Sequence, residues 1–310
     1  MKVDVPETLK TDLPPSFWGK VLGATPVAMA VVATMLAGLS SSEMTRAQYE
    51  RSLAAQLQSK AGDQWNFFQG KKLRSALQHN TRDLLVAGSE VHPLTRDALQ
   101  SALANNPAGA SLDSPGGRQA LAALVDGTLP DAGAATAPAP EVQAAVEALD
   151  ASRPDAELVA LLGRVSDEAL QDSLRRAQAH ALAFDAAVKA VGLVVGQIEN
   201  QLDRPDASPA LRRDFTAARL AFTAQRYDLE AWLNQIIAGY YELQVRKTNL
   251  SAERHHRRSQ QFFYGMLAAQ TGVIIATLAM AAHKRNLLWS LAAGAGAAAV
   301  TFAVYVYLFI

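Results

Sequence analysis

Three long stretches without a single Asp, Glu, Lys, Arg or His constrain this chain most: Val21–Ser42, Phe262–Ala282 and Leu287–Ile310. At ~1.5 Å of rise per residue, each helix is long enough to cross a ~30 Å hydrocarbon core. A helix is also one of only two structures that satisfy their own backbone polar groups in lipid. The expected fold is therefore all-α. A tail over 1–20 leads to a first span over 21–42, a helical soluble domain covers 43–261, and two closing spans run over 262–282 and 287–310. A cleaved signal peptide is the alternative for the first stretch, but its apolar run exceeds a usual signal core. Aromatic residues fall at the ends of the spans, where amphipathic rings favour the interface. Phe17, Trp18 and Trp289 belong to one side by topology, and Phe262, Phe263, Tyr264, Tyr305 and Tyr307 to the other.

Lys and Arg together number 29, as do Asp and Glu, so the formal charge is zero. No bulk field invites nucleic acid, and none is expected as a partner. There are no cysteines. This excludes disulfides, thiolate catalysis and Cys-based zinc or iron–sulfur sites. No His-Glu-x-x-His, P-loop, G-x-S-x-G or dinucleotide fingerprint occurs. His255 and His256 are adjacent, so on a helix they point about 100° apart and make a poor metal pair. The sequence thus assigns no catalytic, cofactor or metal residue, and a protein without enzymatic activity is expected.

Between the spans, Glu43 to Val86 holds no proline and reads as a helix continuing from the first span, ended by Gly88 and Pro93. A shorter helix follows to Ala104. The segment 105–140 contains Asn-Pro, Ser-Pro-Gly-Gly and Ala-Pro-Ala-Pro, and reads as an Ala/Pro-rich insertion, loosely packed, with one short helix at Arg118–Val125. Short helices are expected over Pro140–Ala151 and Pro154–Arg164, then a long one from Ser166 to Leu202. Ser208 and Pro209 form an N-cap and first-turn proline for a helix that runs into the second span. Along it Phe215, Phe222, Leu229, Ile236, Leu243 and Leu250 recur every seventh residue, the mark of a seam against another helix. The two membrane-proximal helices must run antiparallel, giving a long, coiled-coil-like helical stalk. Equal rise places Trp65 level with Ile237, so Trp65 and Phe68 are expected near Leu233, Ile236, Ile237 and Tyr240.

The helix after the first span carries Ser59-Lys-Ala-Gly-Asp-Gln-Trp-Asn-Phe-Phe-Gln-Gly-Lys-Lys. With Val3-Asp-Val-Pro-Glu near the start and the basic turn His283-Lys-Arg near the end, it resembles the domain-of-unknown-function family 4337. The resemblance maps the family's element onto Lys60, Ala61, Asp63, Gln64, Trp65, Phe67, Phe68, Gln69 and Lys71. It implies an uncharacterised bacterial three-span membrane protein and no known activity. Physically, Lys60 and Asp63 share a helix face, and Gln64, Trp65 and Phe68 form an adjoining stripe. The candidate site is therefore Lys60, Asp63, Gln64, Trp65 and Phe68, read either as a packing element that sets register or as a docking patch.

Arg254, Arg257 and Arg258 precede the second span and could hold anionic lipid headgroups, or serve only to fix topology. Small residues at Ala24/Ala28, Ala33/Ala37, Ala292/Gly296 and Gly294/Ala298 permit close helix approach within or between protomers. Basic residues near the membrane favour a cytoplasmic soluble domain: Arg46, Arg51, Arg246, Lys247, Arg254, Arg257 and Arg258 against Lys10, Lys20, Lys284 and Arg285. The expectation is a multi-pass protein of the bacterial inner (cytoplasmic) membrane. It would be a scaffold or interaction protein whose partners are the lipid bilayer and a second copy or another protein. The alternative is an oligomeric channel or transport accessory subunit, with Thr25, Thr34, Thr271, Thr277 or Thr301 lining a pore.

Overall fold

The computed structural model describes residues 17–104, 107–131, 133, 137–282 and 285–309. The Val3–Glu7 motif, Lys10 and the His283-Lys284 part of the basic turn lie outside these residues. Among the described residues there are helices and connecting turns and no strand. In chain order the helices are α1 (Phe17–Gly88), α2 (Arg96–Leu103), α3 (Pro107–Leu112), α4 (Pro115–Val125), α5 (Pro140–Asp150), α6 (Asp155–Leu162), α7 (Asp167–Leu202), α8 (Pro209–Ala281) and α9 (Arg285–Phe309). Their starts follow local chemistry. The side chains of Thr95, Ser114 and Ser166 each accept a hydrogen bond from a backbone N–H three residues on, satisfying an orphan donor. Pro107, Pro115, Pro140 and Pro209 open their helices, where a missing N–H costs nothing.

Four helices are long and apolar enough to cross a membrane by length and composition: α1 from Gly23, α7, α8, and α9 from Asn286. They mark a membrane-associated protein. The presence of α7 in this set departs from the three stretches singled out in the sequence.

The chain divides into two compact units, one from 1–54 with 248–310 and one from 55–247, so α1 and α8 contribute to both. In the second unit, α8 is buried on two faces. The column begun by Phe215 faces α7: Phe215 and Phe222 lie in a core with Leu121 and Leu124 of α4 and Val191, Val195 and Ile198 of α7. Leu229 packs against Phe184 and Val188 of α7. Two residues further along the heptad, Ala217, Ala224, Ala231 and Ala238 form another buried column. Two residues turn a helix by about 200°, so this column faces the other way. It meets α1, where Ala61 and Ser75 are buried.

Within the segment expected to be loosely packed, residues 107–125 are packed. Leu112, Ala120, Leu121, Ala123 and Leu124 belong to the same core as Phe215. Gly109 and Gly117 serve contact rather than looseness. A Cβ on Gly117 would strike the backbone of Ser111 and Leu112, so α3 and α4 approach closely only because that position lacks a side chain.

In the first unit, α1, α8 and α9 pack through small residues. Ala33 and Leu36 of α1, Ala269 of α8 and Ala299 of α9 form one buried cluster. The Met29 side chain lies against Gly272 of α8 and Gly296 of α9. Of the small-residue pairs read from the sequence, Ala33, Ala292 and Gly296 turn inward, whereas Ala24, Ala28 and Gly294 are exposed.

Candidate functional site

The aromatic element sits midway along α1, within the second unit. Trp65 and Phe68 are half-buried and stack edge to face, with ring centroids 5.4 Å apart. The Trp65 indole Nε1–H donates to Glu242 Oε1 at 2.6 Å. The Lys60 ammonium lies 5.9 Å over the Tyr241 ring, whose hydroxyl accepts from Gln178 of α7 at 2.9 Å. Asp63 is exposed, and Gln64 is half-buried. Lys60 and Trp65 are thus brought to the α8 surface, Phe68 packs on Trp65, and Asp63 is exposed.

The antiparallel register holds to within two residues at Lys71 and Lys72, but Trp65, level with Ile237 by equal rise, bonds Glu242 five residues away. Equal rise puts Lys71 level with Ala231 and Lys72 level with Glu230; the observed partners are Glu230 and Asp228. Three of the four named neighbours of Trp65, Leu233, Ile236 and Tyr240, need correction. Leu233 packs on Phe184 and Val188, and Ile236 and Tyr240 line a cleft shared with α7. They lie on the face of α8 that the Phe215 column occupies, turned from α1.

One turn beyond the aromatic element, α1 and α8 are joined by a cluster of charges. The Glu230 carboxylate, 9% exposed, is held by Lys71 from α1 and by Arg226 Nε at 2.6 Å from its own helix. Both cations also lie against the Tyr227 ring, at 5.2 and 5.3 Å. Beside them Lys72 bonds Asp228 at 2.8 Å, and His79 Nε2 lies 3.7 Å from the same carboxylate. Partial burial pushes Asp228 upward, but hydrogen bonds from Lys72, Ser75 and His79 outweigh it and hold the carboxyl below its ordinary range. The sequence reading passed over this cluster, although Arg226 and Glu230 at i, i+4 and the doublet Lys71-Lys72 were visible signals.

In the first unit two further polar pairs join α1 to α8. Ser40 and Ser259 each donate to the other's carbonyl oxygen, at 3.0 and 2.8 Å. His255 Nδ1 lies 2.6 Å from Glu43 Oε2, with both side chains under one-fifth exposed. His255 therefore faces α1, while His256 contacts Gln260 on its own helix at 3.0 Å. Arg254 and Arg257 are exposed and Arg258 is half-buried; Arg257 pairs with Glu253 at 3.0 Å. Among the described residues no group of three or more His, Asp or Glu converges as metal ligands would.

A family model described as Domain of unknown function (DUF4337) matches residues 18–110, the stretch that holds α1 and the aromatic element. No curated protein and no solved structure matches the chain.

Proposed function

We propose that this protein is a non-enzymatic, three-span scaffold that assembles with a second copy of itself through the outward face of α1. The observation that carries this reading is a row of exposed leucines. Leu73, Leu77 and Leu84 are 74%, 59% and 74% exposed. With Asn80 they step by four, three and four residues, the spacing of a coiled-coil seam. Ser75, turned into α8, lies on the opposite side of the helix. Solvent-exposed apolar surface of this kind marks an interaction site. Two copies inserted the same way in one membrane meet with α1 parallel, like residue facing like. None of the four seam positions is charged, so in-register pairing brings no repulsion, and facing Asn80 side chains would fix the register.

The membrane reading rests on α1, α8 and α9. We assign α7 to the soluble domain because its apolar residues fill the core with α4 and α8, while Asp185 and Lys189 occupy its exposed side. We place the protein in a bacterial inner membrane with 43–261 in the cytoplasm, a reading supported by the resemblance of α1 and by the basic residues around Arg254, Arg257 and Arg258. The channel alternative is less favoured. Thr34, Thr271, Thr277 and Thr301 each donate to the carbonyl four residues earlier, which is how a hydroxyl is satisfied against lipid.

The test is native mass spectrometry of the full chain in nanodiscs, with Leu77→Cys for oxidative crosslinking in a chain that otherwise has no cysteine. The expected result is a discrete oligomer that Leu77→Glu dissociates, and a covalent dimer from Leu77→Cys. A monomer that yields no crosslink overturns self-assembly through this face.

A further inference from the structure

The three apolar stretches hold one carboxamide between them, Gln270 of α8. It lies eight residues into the stretch Phe262–Ala282. At ~1.5 Å per residue that is about 12 Å deep, near the middle of a ~30 Å hydrocarbon layer. The Gln270 side chain is exposed, and among the described residues it meets no donor or acceptor. The hydroxyls beside it are met within the helix: Thr271 donates to the Leu267 carbonyl at 2.9 Å and Thr277 to the Val273 carbonyl at 2.8 Å. A carboxamide carries two N–H donors and an acceptor oxygen, and at this depth no water reaches them. A single chain thus leaves a costly polar group in lipid.

We infer that Gln270 is the centre of a contact between two copies of this chain inside the membrane. The residues around it form a seam. Phe263, Leu267, Gln270, Ile274, Thr277 and Ala281 step alternately by four and three residues, the spacing of a coiled coil, and all are exposed. The face that serves the fold is another one. Gly265, Ala269 and Gly272 turn to α1 and α9, about 150° around the helix from the seam. Apolar side chains on the seam need no partner in lipid; the amide in their midst does. Its chemistry names the occupant. Copies inserted the same way bring like residue opposite like, and a carboxamide is its own complement, each N–H₂ donating to the other's oxygen. No seam residue is charged, so this pairing meets no repulsion. The inference rests on the membrane reading above and on its second copy, but not on the leucines of α1.

The test uses the full chain in two ways. In membranes of the expressing cells, where every copy is inserted alike, Ile274→Cys supplies the only thiol for oxidative crosslinking. It should give a covalent dimer, and Val300→Cys, exposed on α9, should not. In detergent micelles, sedimentation equilibrium reads the affinity. Gln270→Leu keeps the seam apolar and deletes the amide, and should weaken the dimer roughly three- to thirtyfold, whereas Gln270→Asn, which keeps the carboxamide, should stay closer to the parent. Association through apolar packing alone would survive Gln270→Leu, so an unchanged or tighter dimer in that variant overturns the inference. An Ile274→Cys yield no higher than that of Val300→Cys overturns it too, and would turn the amide toward another protein. The two seams fail separately. A Leu77→Cys crosslink without the Ile274→Cys one removes this contact and leaves the α1 seam standing; the converse removes the α1 seam and supports this contact.

Discussion

Replacing Glu230 by Gln should release α1 from α8 locally. The Glu230 side chain is 9% exposed, while its partners Lys71 and Arg226 are 25% and 30% exposed. The substitution keeps the shape and deletes the charge, leaving two cations beside one ring with no anion between them. Breaking a fully buried pair costs about 3–5 kcal/mol. Here the stranded cations retain partial access to water, so we discount the loss to about 2 kcal/mol, or roughly 30-fold in an opening equilibrium. The loss should stay local, because Leu73 and Leu77 on the outward face of α1 in this region are exposed among the described residues. Hydrogen–deuterium exchange of the full chain in nanodiscs reads it directly. Peptides spanning 65–80 should exchange roughly 30-fold faster, and peptides from α4 should not change. Lys71→Met added to Glu230→Gln should recover part of the protection by removing one stranded charge. Unchanged exchange over 65–80, or equal acceleration in α4, would refute the claim that this ionic cluster clamps the helix pair.

Two more outcomes are expected. The Asp228 carboxyl titrates below its ordinary value near ~4 in the folded chain, so its contribution is complete above that value and disappears as pH falls through the lowered one. Exchange over 72–79 should therefore accelerate on acidification below pH ~4, and Asp228→Asn should flatten that dependence. Gly117→Ala places a methyl against the Ser111 and Leu112 backbone and should destabilise the α3–α4 contact by about 1–3 kcal/mol, read as faster exchange over 107–125.

Helix limits were largely legible, because they are set by local signals. Ser166, Ser208 and the prolines begin helices where capping and fixed φ demand it, and α7 ends at Leu202 as read. The start of α2 falls at Arg96 because the Thr95 side chain supplies the cap. The segment 105–140 was misread because glycine and proline announce turns without saying whether the turns are buried; Gly117 is a packing residue that resembles a linker residue. The candidate site was legible in part. Trp65 and Lys60 reach α8, and Phe68 packs edge-on against Trp65. Leu233, Ile236 and Tyr240 lie on the other face, because matched height fixes the level along a helix and not which face turns to the neighbour.

That error exposes the design of α8. A heptad column of large residues is conspicuous, but a helix that touches two neighbours needs two columns, and the second can be built from residues too small to notice. Phe215, Phe222 and Leu229 meet α7 with bulk, whereas Ala224, Ala231 and Ala238 meet α1 with almost none. Alanine brings little apolar area, so in water such a seam gains little from burial alone. It does allow the two backbones to come close, and closeness is what lets Lys71, Lys72 and Trp65 reach across to Glu230, Asp228 and Glu242. The polar contacts and the small residues are therefore one device: the alanines set the distance and the charges fix the register. In the first unit the same logic operates, where Ala33 and Ala269 are buried, Ser40 and Ser259 bond reciprocally, and Glu43 meets His255. In lipid, apolar bulk gives no advantage over the surrounding chains, so close packing and hydrogen bonds are the terms left to hold helices together.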